Sequence, residues 1–374
     1  MRAEIVVDLG AITANVAALK RRCGVAMMTV VKADGYGHGL VEAGRAARRG
    51  GADWLGVAVL EEALALRAAG DEGRILTWLA VPGEDYRPAI EAGVDVTAYT
   101  VAELAEITTA AERVRRPARL QLKIDTGLSR GGATQAHWAD LVEAAAKAQH
   151  DGTVTVTGVW SHLACADQPE HPANDAQERA FRAAVEVAGH AGLSPEVCHL
   201  ANSAAAVYRP SARFDLVRCG IACYGLAPAP GIDSSADLGL APAMTVRARL
   251  ATTKRVRAGS GVSYGLTYRT RRDTTLGLVP VGYADGVLRA ASSRARVLAA
   301  GAQRTIAGRV CMDQLVIDLG DDTAAAGDEV ILFGPGSLGE PTAQDWAEAC
   351  GTISYEIVTR VGGRMTRRHV EGRR

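Results

Sequence analysis

A lone lysine at the end of an apolar run, ahead of three closely spaced glycines, makes a poor core and a good setting for a reactive amine. The stretch is Val30-Val31-Lys32-Ala33-Asp34-Gly35-Tyr36-Gly37-His38-Gly39. A lysine at the mouth of an apolar pocket gives up its proton readily, and the free amine can form a Schiff base with an aldehyde. Taken alone, Val-Val-Lys-Ala reads as a lysine that lays its stem along apolar surface and keeps its charge in water. The other strand ends decide between the two.

Polar groups recur after later apolar runs. Lys123-Ile124-Asp125 leads into the turn Ser129-Arg130-Gly131-Gly132, and further on come Trp160-Ser161-His162, His199-Leu200-Ala201-Asn202-Ser203 and Arg218-Cys219-Gly220-Ile221. Singly, His162 reads as a structural histidine, Arg218 as a surface ion-pair partner and Lys123 as a solvated edge residue. Together they can bind an anion and move a proton. Asn202-Ser203 before an alanine run offers a phosphate a hydroxyl and helix amides, although the same pair is also an ordinary helix cap. Gly220-Ile221 allows the backbone to come close to the same group.

The elements that must carry these residues follow one rhythm: a short apolar run, a polar turn, then an alanine-rich amphipathic stretch. Strands are expected at 27–32, 55–59, 75–80, 94–98, 120–125, 154–162, 197–201 and 216–219. Helices are expected at 40–49, 61–69, 84–92, 101–113, 135–148 and 173–191. This alternation predicts an α/β fold with an N-terminal (β/α)8 TIM-like barrel, whose functional groups belong at the C-terminal strand ends. The rhythm changes at Ala227-Pro228-Ala229-Pro230-Gly231. Beyond it, runs at 244–251, 274–281, 295–298, 303–310, 315–319 and 329–333 predict a smaller, mainly β domain with a helix near 343–349. The expected division is a barrel over 9–233 and a C-terminal β domain over 234–374, with an N-terminal strand at 1–8 packing against the latter.

The chain has 374 residues, 48% apolar and 22% charged, with 42 basic residues against 42 acidic ones. That balance offers no field to recruit nucleic acid or an anionic membrane, and the Arg-rich end reads as a solvated tail. No stretch reads as a signal or a membrane span, so a cytoplasmic location is expected. Seven cysteines without a Cys-x-x-Cys pair argue against both a disulfide framework and a zinc site. No metal is expected.

The ordered set of motifs resembles the alanine racemase family. It runs through Lys32-Ala33-Asp34-Gly35-Tyr36-Gly37-His38-Gly39, the segments 123–132, 161–164, 199–205 and 218–225, then Gly261-Val262-Ser263-Tyr264-Gly265, 281–286, Cys311-Met312-Asp313-Gln314 and 352–357. The resemblance implies a pyridoxal 5'-phosphate enzyme that interconverts L-alanine and D-alanine, supplying D-alanine for peptidoglycan. Lys32 would hold the cofactor and act on one face of the substrate α-carbon, and Tyr264 would act on the other. A tyrosine ordinarily titrates at about 10, so cations such as Arg130 would have to favour its phenolate.

Further roles follow from the resemblance. Tyr36, Asn202, Ser203, Gly220, Ile221 and Tyr355 would surround the cofactor, most of them at its phosphate. Arg218 would face the pyridine nitrogen, with His162 orienting it from behind. Arg130 and the backbone of Met312 would receive the substrate carboxylate, and Tyr283 would line the entrance. Lys123 stands where many relatives carry a lysine carbamate that anchors Arg130. A homodimer is implied, because the tyrosine comes from the partner's C-terminal domain. Cys219 departs from the proline common there and has no assigned role. An amino-acid decarboxylase of the same architecture would instead bring a carboxylate to the pyridine nitrogen and a glycine triplet to the phosphate. A non-catalytic carrier of the cofactor would need only the barrel.

Overall fold

The computed structural model describes residues 2–372. Met1, where the expected first strand begins, and the arginines at 373–374 of the expected tail lie outside them. Strand β1 (Ala3–Asp8) runs into α1 (Leu9–Cys23). Asp8 caps that helix by accepting from the Ala11 amide at 3.0 Å.

The eight-stranded sheet comprises β2 (Ala26–Val30), β3 (Trp54–Val57), β4 (Arg74–Thr77), β5 (Asp95–Ala98), β6 (Ala118–Lys123), β7 (Val154–Trp160), β8 (Val197–His199) and β9 (Leu216–Cys219). Between them come α2 (Lys32–Tyr36), α3 (Leu40–Arg49), α4 (Leu60–Ala68), α5 (Arg87–Glu91), α6 (Val101–Val114), α7 (Gln135–His150), α8 (Ala173–His190) and α9 (Ser203–Tyr208). Neighbouring strands pair in parallel, and β9 pairs with β2. The remaining gap closes where Asp215 donates its amide to Cys198 O at 3.1 Å and Arg218 to Ala201 O at 2.9 Å. Every residue of β3, β5 and β9 is buried, as a sheet covered on both faces requires.

The C-terminal part holds β10 (Met244–Arg249), β11 (Thr252–Val256), β12 (Gly261–Val262), β13 (Tyr268–Arg269), β14 (Thr274–Val279), β15 (Arg296–Ala299), β16 (Ala302–Thr305), β17 (Leu315–Gly320) and β18 (Glu329–Phe333). After these come α10 (Ala343–Cys350), α11 (Ser354–Arg360) and β19 (Thr366–Val370). A six-stranded sheet in the order β16-β15-β18-β10-β1-β19 joins the first strand of the chain to the last. A smaller sheet runs β11-β14-β17. One hydrophobic core is continuous from Ile12 and Val57 in the barrel half to Val246 and Leu332 in the β sheets.

The expected architecture is present, and several boundaries differ. Strand β2 stops at Val30, so Lys32 stands just past it, and β7 stops at Trp160, two residues before His162. The expected helix at 84–92 is only Arg87–Glu91, because the Pro88 ring favours a helix start, and 84–86 have no regular structure. The run at 303–310 is a strand only over Ala302–Thr305. Helices α1 and α11 and strands β11 and β19 were not foreseen, and β11 and β19 are largely polar, without the apolar alternation that marks a half-buried strand.

Candidate active site

Lys32 opens a turn of left-handed helix. Ala33, Asp34, Gly35 and Tyr36 have φ of 53°, 54°, 62° and 54°. For the three that carry a Cβ this conformation costs about 1–2 kcal/mol each, so the surroundings must hold it. Asp34 accepts from the Leu40 amide at 2.8 Å and pairs with Arg367 of β19 at 2.6 Å. His369, also on β19, meets His38 O at 2.8 Å. Gly37 has φ 79°, and a Cβ there would fall 2.3 Å from Val358 O of α11. That glycine admits the C-terminal half of the chain directly behind the lysine.

Beside Lys32 opens a cavity of ≈ 970 Å³ at the C-terminal strand ends. Its walls bring together Lys32, Tyr36, Lys123, Arg130, His162, Asn202, Ser203, Arg218, Gly220, Ile221 and Tyr355. Burial lowers the Lys32 amine below its ordinary value, helped by the charge of Arg130 and opposed by Glu62. Burial pulls Lys123 down to about 7, and Arg218 and Arg130 add to the shift. Lys123 also lies over the Trp160 ring, 4.4 Å from its centroid.

Arg218 is 4% exposed and is held entirely by neutral acceptors. Nη1 donates to His199 Nδ1 at 2.8 Å and His199 O at 3.1 Å. Nη2 donates to Ser161 O at 2.7 Å, Leu200 O at 3.0 Å and His162 Nδ1 at 3.1 Å. Its Nε–H has no acceptor among the described residues and is not sealed from the cavity. Burial, with the Arg218 charge next, pushes both His162 and His199 well below the usual histidine value, so both rings are neutral and accept. His199 then carries its proton on Nε2 and donates it to Gln121 Oε1 at 2.7 Å. Burial brings Arg218 itself down to about 9, still protonated at neutral pH.

Further along the same wall, Ser203 Oγ accepts from the Gly220 amide at 2.8 Å, which leaves its own proton to donate. A Cβ on Gly220 would fall 2.3 Å from Tyr36 Oη, so only glycine lets the phenol reach this backbone. Tyr36 is buried and lies 6.2 Å from Tyr355, centroid to centroid. Asn202 behaves as the cap that its sequence allowed: its side chain accepts from the Ala205 amide at 3.1 Å. Its carboxamide oxygen is therefore committed to α9.

Tyr264, Tyr283 and Met312 are not in this cavity wall; they form a second group. Tyr283 donates its amide to Cys311 O at 3.0 Å, Ala284 donates to Met312 O at 2.9 Å, and Ser263 Oγ lies 3.4 Å from Cys311 Sγ. All three side chains face outward, with Tyr264 71% exposed.

His199 was visible at a strand end but had no assigned role, and Gln121, Trp78 and Tyr99 were not singled out at all. Gln121 is an internal polar residue of a strand, and only closure of the barrel brings it to His199.

Fold and site define a two-domain barrel enzyme with a partly desolvated lysine and a buried, uncompensated arginine at the strand ends. Residues 7–228 match the family "Alanine racemase, N-terminal domain", and residues 243–369 match "Alanine racemase, C-terminal domain". The alanine racemase of Thermobifida fusca is 58% identical, covering 98% of this chain and 97% of that protein. The crystal structure of the Streptomyces lavendulae alanine racemase is 54% identical with a TM-score of 0.98, covering 100% of this chain and 98% of that one. The Bartonella henselae alanine racemase, solved with covalently bound pyridoxal phosphate, is 27% identical with a TM-score of 0.88 over 99% and 100% of the two chains. The chain belongs to the alanine racemase family.

Proposed function

We propose that this chain interconverts L-alanine and D-alanine with pyridoxal 5'-phosphate held at Lys32, and with acid–base groups on opposite faces of the α-carbon. The observation that carries this reading is the Arg218 Nε–H. It is a charged donor without a protein acceptor, on a wall whose other end offers Ser203 Oγ, the Gly220 backbone and Tyr36 Oη for a phosphate. The cofactor supplies an aldehyde for the amino group and a ring that takes up electrons when the α-proton leaves. Lys32, whose amine burial shifts below its ordinary value, takes or returns that proton on one face. Arg218 offers the pyridine nitrogen a hydrogen bond without surrendering its proton, which limits how far charge moves into the ring and restrains side reactions. His162 and His199 hold Arg218 as neutral acceptors. Ser203, Gly220, Ile221, Tyr36 and Tyr355 surround the phosphate, with Asn202 acting through the α9 cap.

The second base is Tyr264, with Met312 and Arg130 receiving the carboxylate and Tyr283 at the entrance. Since Tyr264, Tyr283 and Met312 are exposed and do not line the cavity of their own chain, the reading makes the active unit a homodimer in which each subunit completes the other's site. A carbamate on Lys123, formed from its neutral amine and CO2 with release of a proton, would anchor Arg130. Incorporation of labelled CO2 that is lost in Lys123→Arg tests it. The barrel spans 9–233 and the β domain 234–374, the latter joined by strand 1–8, a division supported by the pairing of β1 with β10 and β19. The enzyme works in the cytoplasm, supplying D-alanine for peptidoglycan and needing neither nucleic acid nor a membrane. No helix among the described residues is long and apolar enough to cross a bilayer.

A chiral assay of L-alanine with added cofactor, run beside a CO2-release assay, tests the reading directly. D-alanine should accumulate without CO2, and Lys32→Ala should lose both turnover and the visible absorbance of the bound cofactor. Undiminished racemisation by Lys32→Ala would overturn it.

A further inference from the structure

We infer that Glu62 is a positioning residue for Lys32, an assignment that rests on the reading of Lys32 given above. Glu62 stands in the first turn of α4 and turns its carboxylate toward the barrel mouth. Oε1 accepts from the Ala33 amide at 2.6 Å, and Oε2 accepts from the Ala58 amide at 2.9 Å. One side chain thereby ties the segment leaving β2 to the segment leaving β3.

The Ala33 amide is half of the Lys32–Ala33 peptide plane. A peptide unit is rigid, so holding that N–H sets the Lys32 ψ and the direction in which its side chain leaves the backbone. The left-handed turn makes this hold necessary. Three amides in and just after it find backbone acceptors, Gly35 on Val31 O at 2.8 Å, Gly37 on Ala33 O at 3.0 Å and Gly39 on Asp34 O at 2.8 Å. The far end of the turn is fastened to β19 by Arg367 and His369. At the lysine end the fastening is Glu62. The same carboxylate brings negative charge to an amine that otherwise faces Arg130 and Lys123.

The experiment compares Glu62→Gln and Glu62→Asp with wild type as holoenzymes. Glutamine keeps one acceptor oxygen and loses the charge; aspartate keeps the charge but is one methylene too short to span both amides. Each variant should retain the visible absorbance of the bound cofactor and a KM within about twofold of wild type, while kcat falls about tenfold, as expected when a reacting group is slightly misplaced. With α-deuterated alanine, the primary isotope effect should rise for the one enantiomer whose proton Lys32 removes and stay unchanged for the other. A purely structural role would lower the thermal midpoint and leave both isotope effects alone, and that result overturns the assignment, as does an equal rise for both enantiomers. If glutamine prevents folding, the aspartate variant alone decides by the same isotope effects. An inactive Lys32→Ala beside a Glu62→Gln identical to wild type would remove Glu62 only; an active Lys32→Ala would remove the reading of Lys32 itself.

Discussion

The two mouths of the barrel both hold arginines, part-exposed at one end and buried at the other, and they treat them in opposite ways. At the N-terminal mouth, Asp95 is fully buried and receives Arg74 at 3.0 Å, Arg119 at 3.2 Å and the Thr157 hydroxyl. Glu196 takes the free ends of the same two arginines at 2.6 and 2.9 Å, and Arg74 lies 4.0 Å from the Trp54 ring centroid. Two cations meet two anions, and the end is plugged. At the C-terminal mouth, Arg218 meets histidines and carbonyls but no carboxylate, with Lys32, Lys123 and Arg130 nearby. Burying an uncompensated charge is expensive. A fold that neutralises one end and leaves the other positive has kept that end for an anionic ligand.

The sharpest way to break this comparison asks whether the open mouth is completed by a second chain. Lys32→Ala and Tyr264→Phe should each be nearly inactive, and mixing and refolding them in equal amounts should restore about a quarter of wild-type activity, since half the dimers would carry one intact site. Activity no higher than that of the parents would show that each site is built from a single chain.

Arg218→Gln should lower kcat roughly 100-fold, the usual scale for losing a charged donor at a reacting centre. Its counterpart at the plugged end, Asp95→Asn, leaves Glu196 as the one remaining carboxylate for two part-exposed arginines and should cost about 2 kcal/mol in a denaturant titration. The kcat of the folded fraction should not change. A catalytic defect in Asp95→Asn would end the distinction between the mouths.

Acid separates the two ends by a smaller effect. Burial holds His38 down to about 4, and His162 and His199 well below their ordinary 6.5. Each is neutral in the fold and gains a proton more easily once unfolded, so the stability they contribute is present above pH 6.5 and is lost as the pH falls below it. Burial raises the Glu196 carboxyl at the plugged mouth, but hydrogen bonds from Arg74 and Arg119 outweigh it and hold the group below 4.5. Its contribution is present above pH 4.5 and lost only below it. Denaturant midpoints measured against pH should therefore begin to fall near pH 6.5, and a flat profile down to pH 4.5 would contradict the neutral histidines.

Much of the open mouth was legible in the sequence, because a parallel barrel puts the residue after each apolar run on the same rim. Lys32, Lys123, His162, Ser203 and Arg218 could be gathered before any coordinates, and all of them line one cavity. The plug was not legible. Arg74, Asp95 and Arg119 sit at strand beginnings and look like ordinary solvated charges until the strands stand side by side. The hand of the turn after Lys32 was equally hidden, since only Gly35 within it favours positive φ by type.

By itself, the sequence determined which elements alternate, where the reactive groups fall relative to them, and which family the motifs resemble. Those follow from local periodicity and spacing, properties a linear chain carries. Only the tertiary structure decided that Glu62 holds the Lys32 peptide, that Gln121 receives the His199 Nε2 proton, and that β1 and β19 close one sheet from the two ends of the chain. Each of these is a hydrogen bond between residues far apart in sequence, and its existence depends on distances that closure of the barrel and docking of the second domain create.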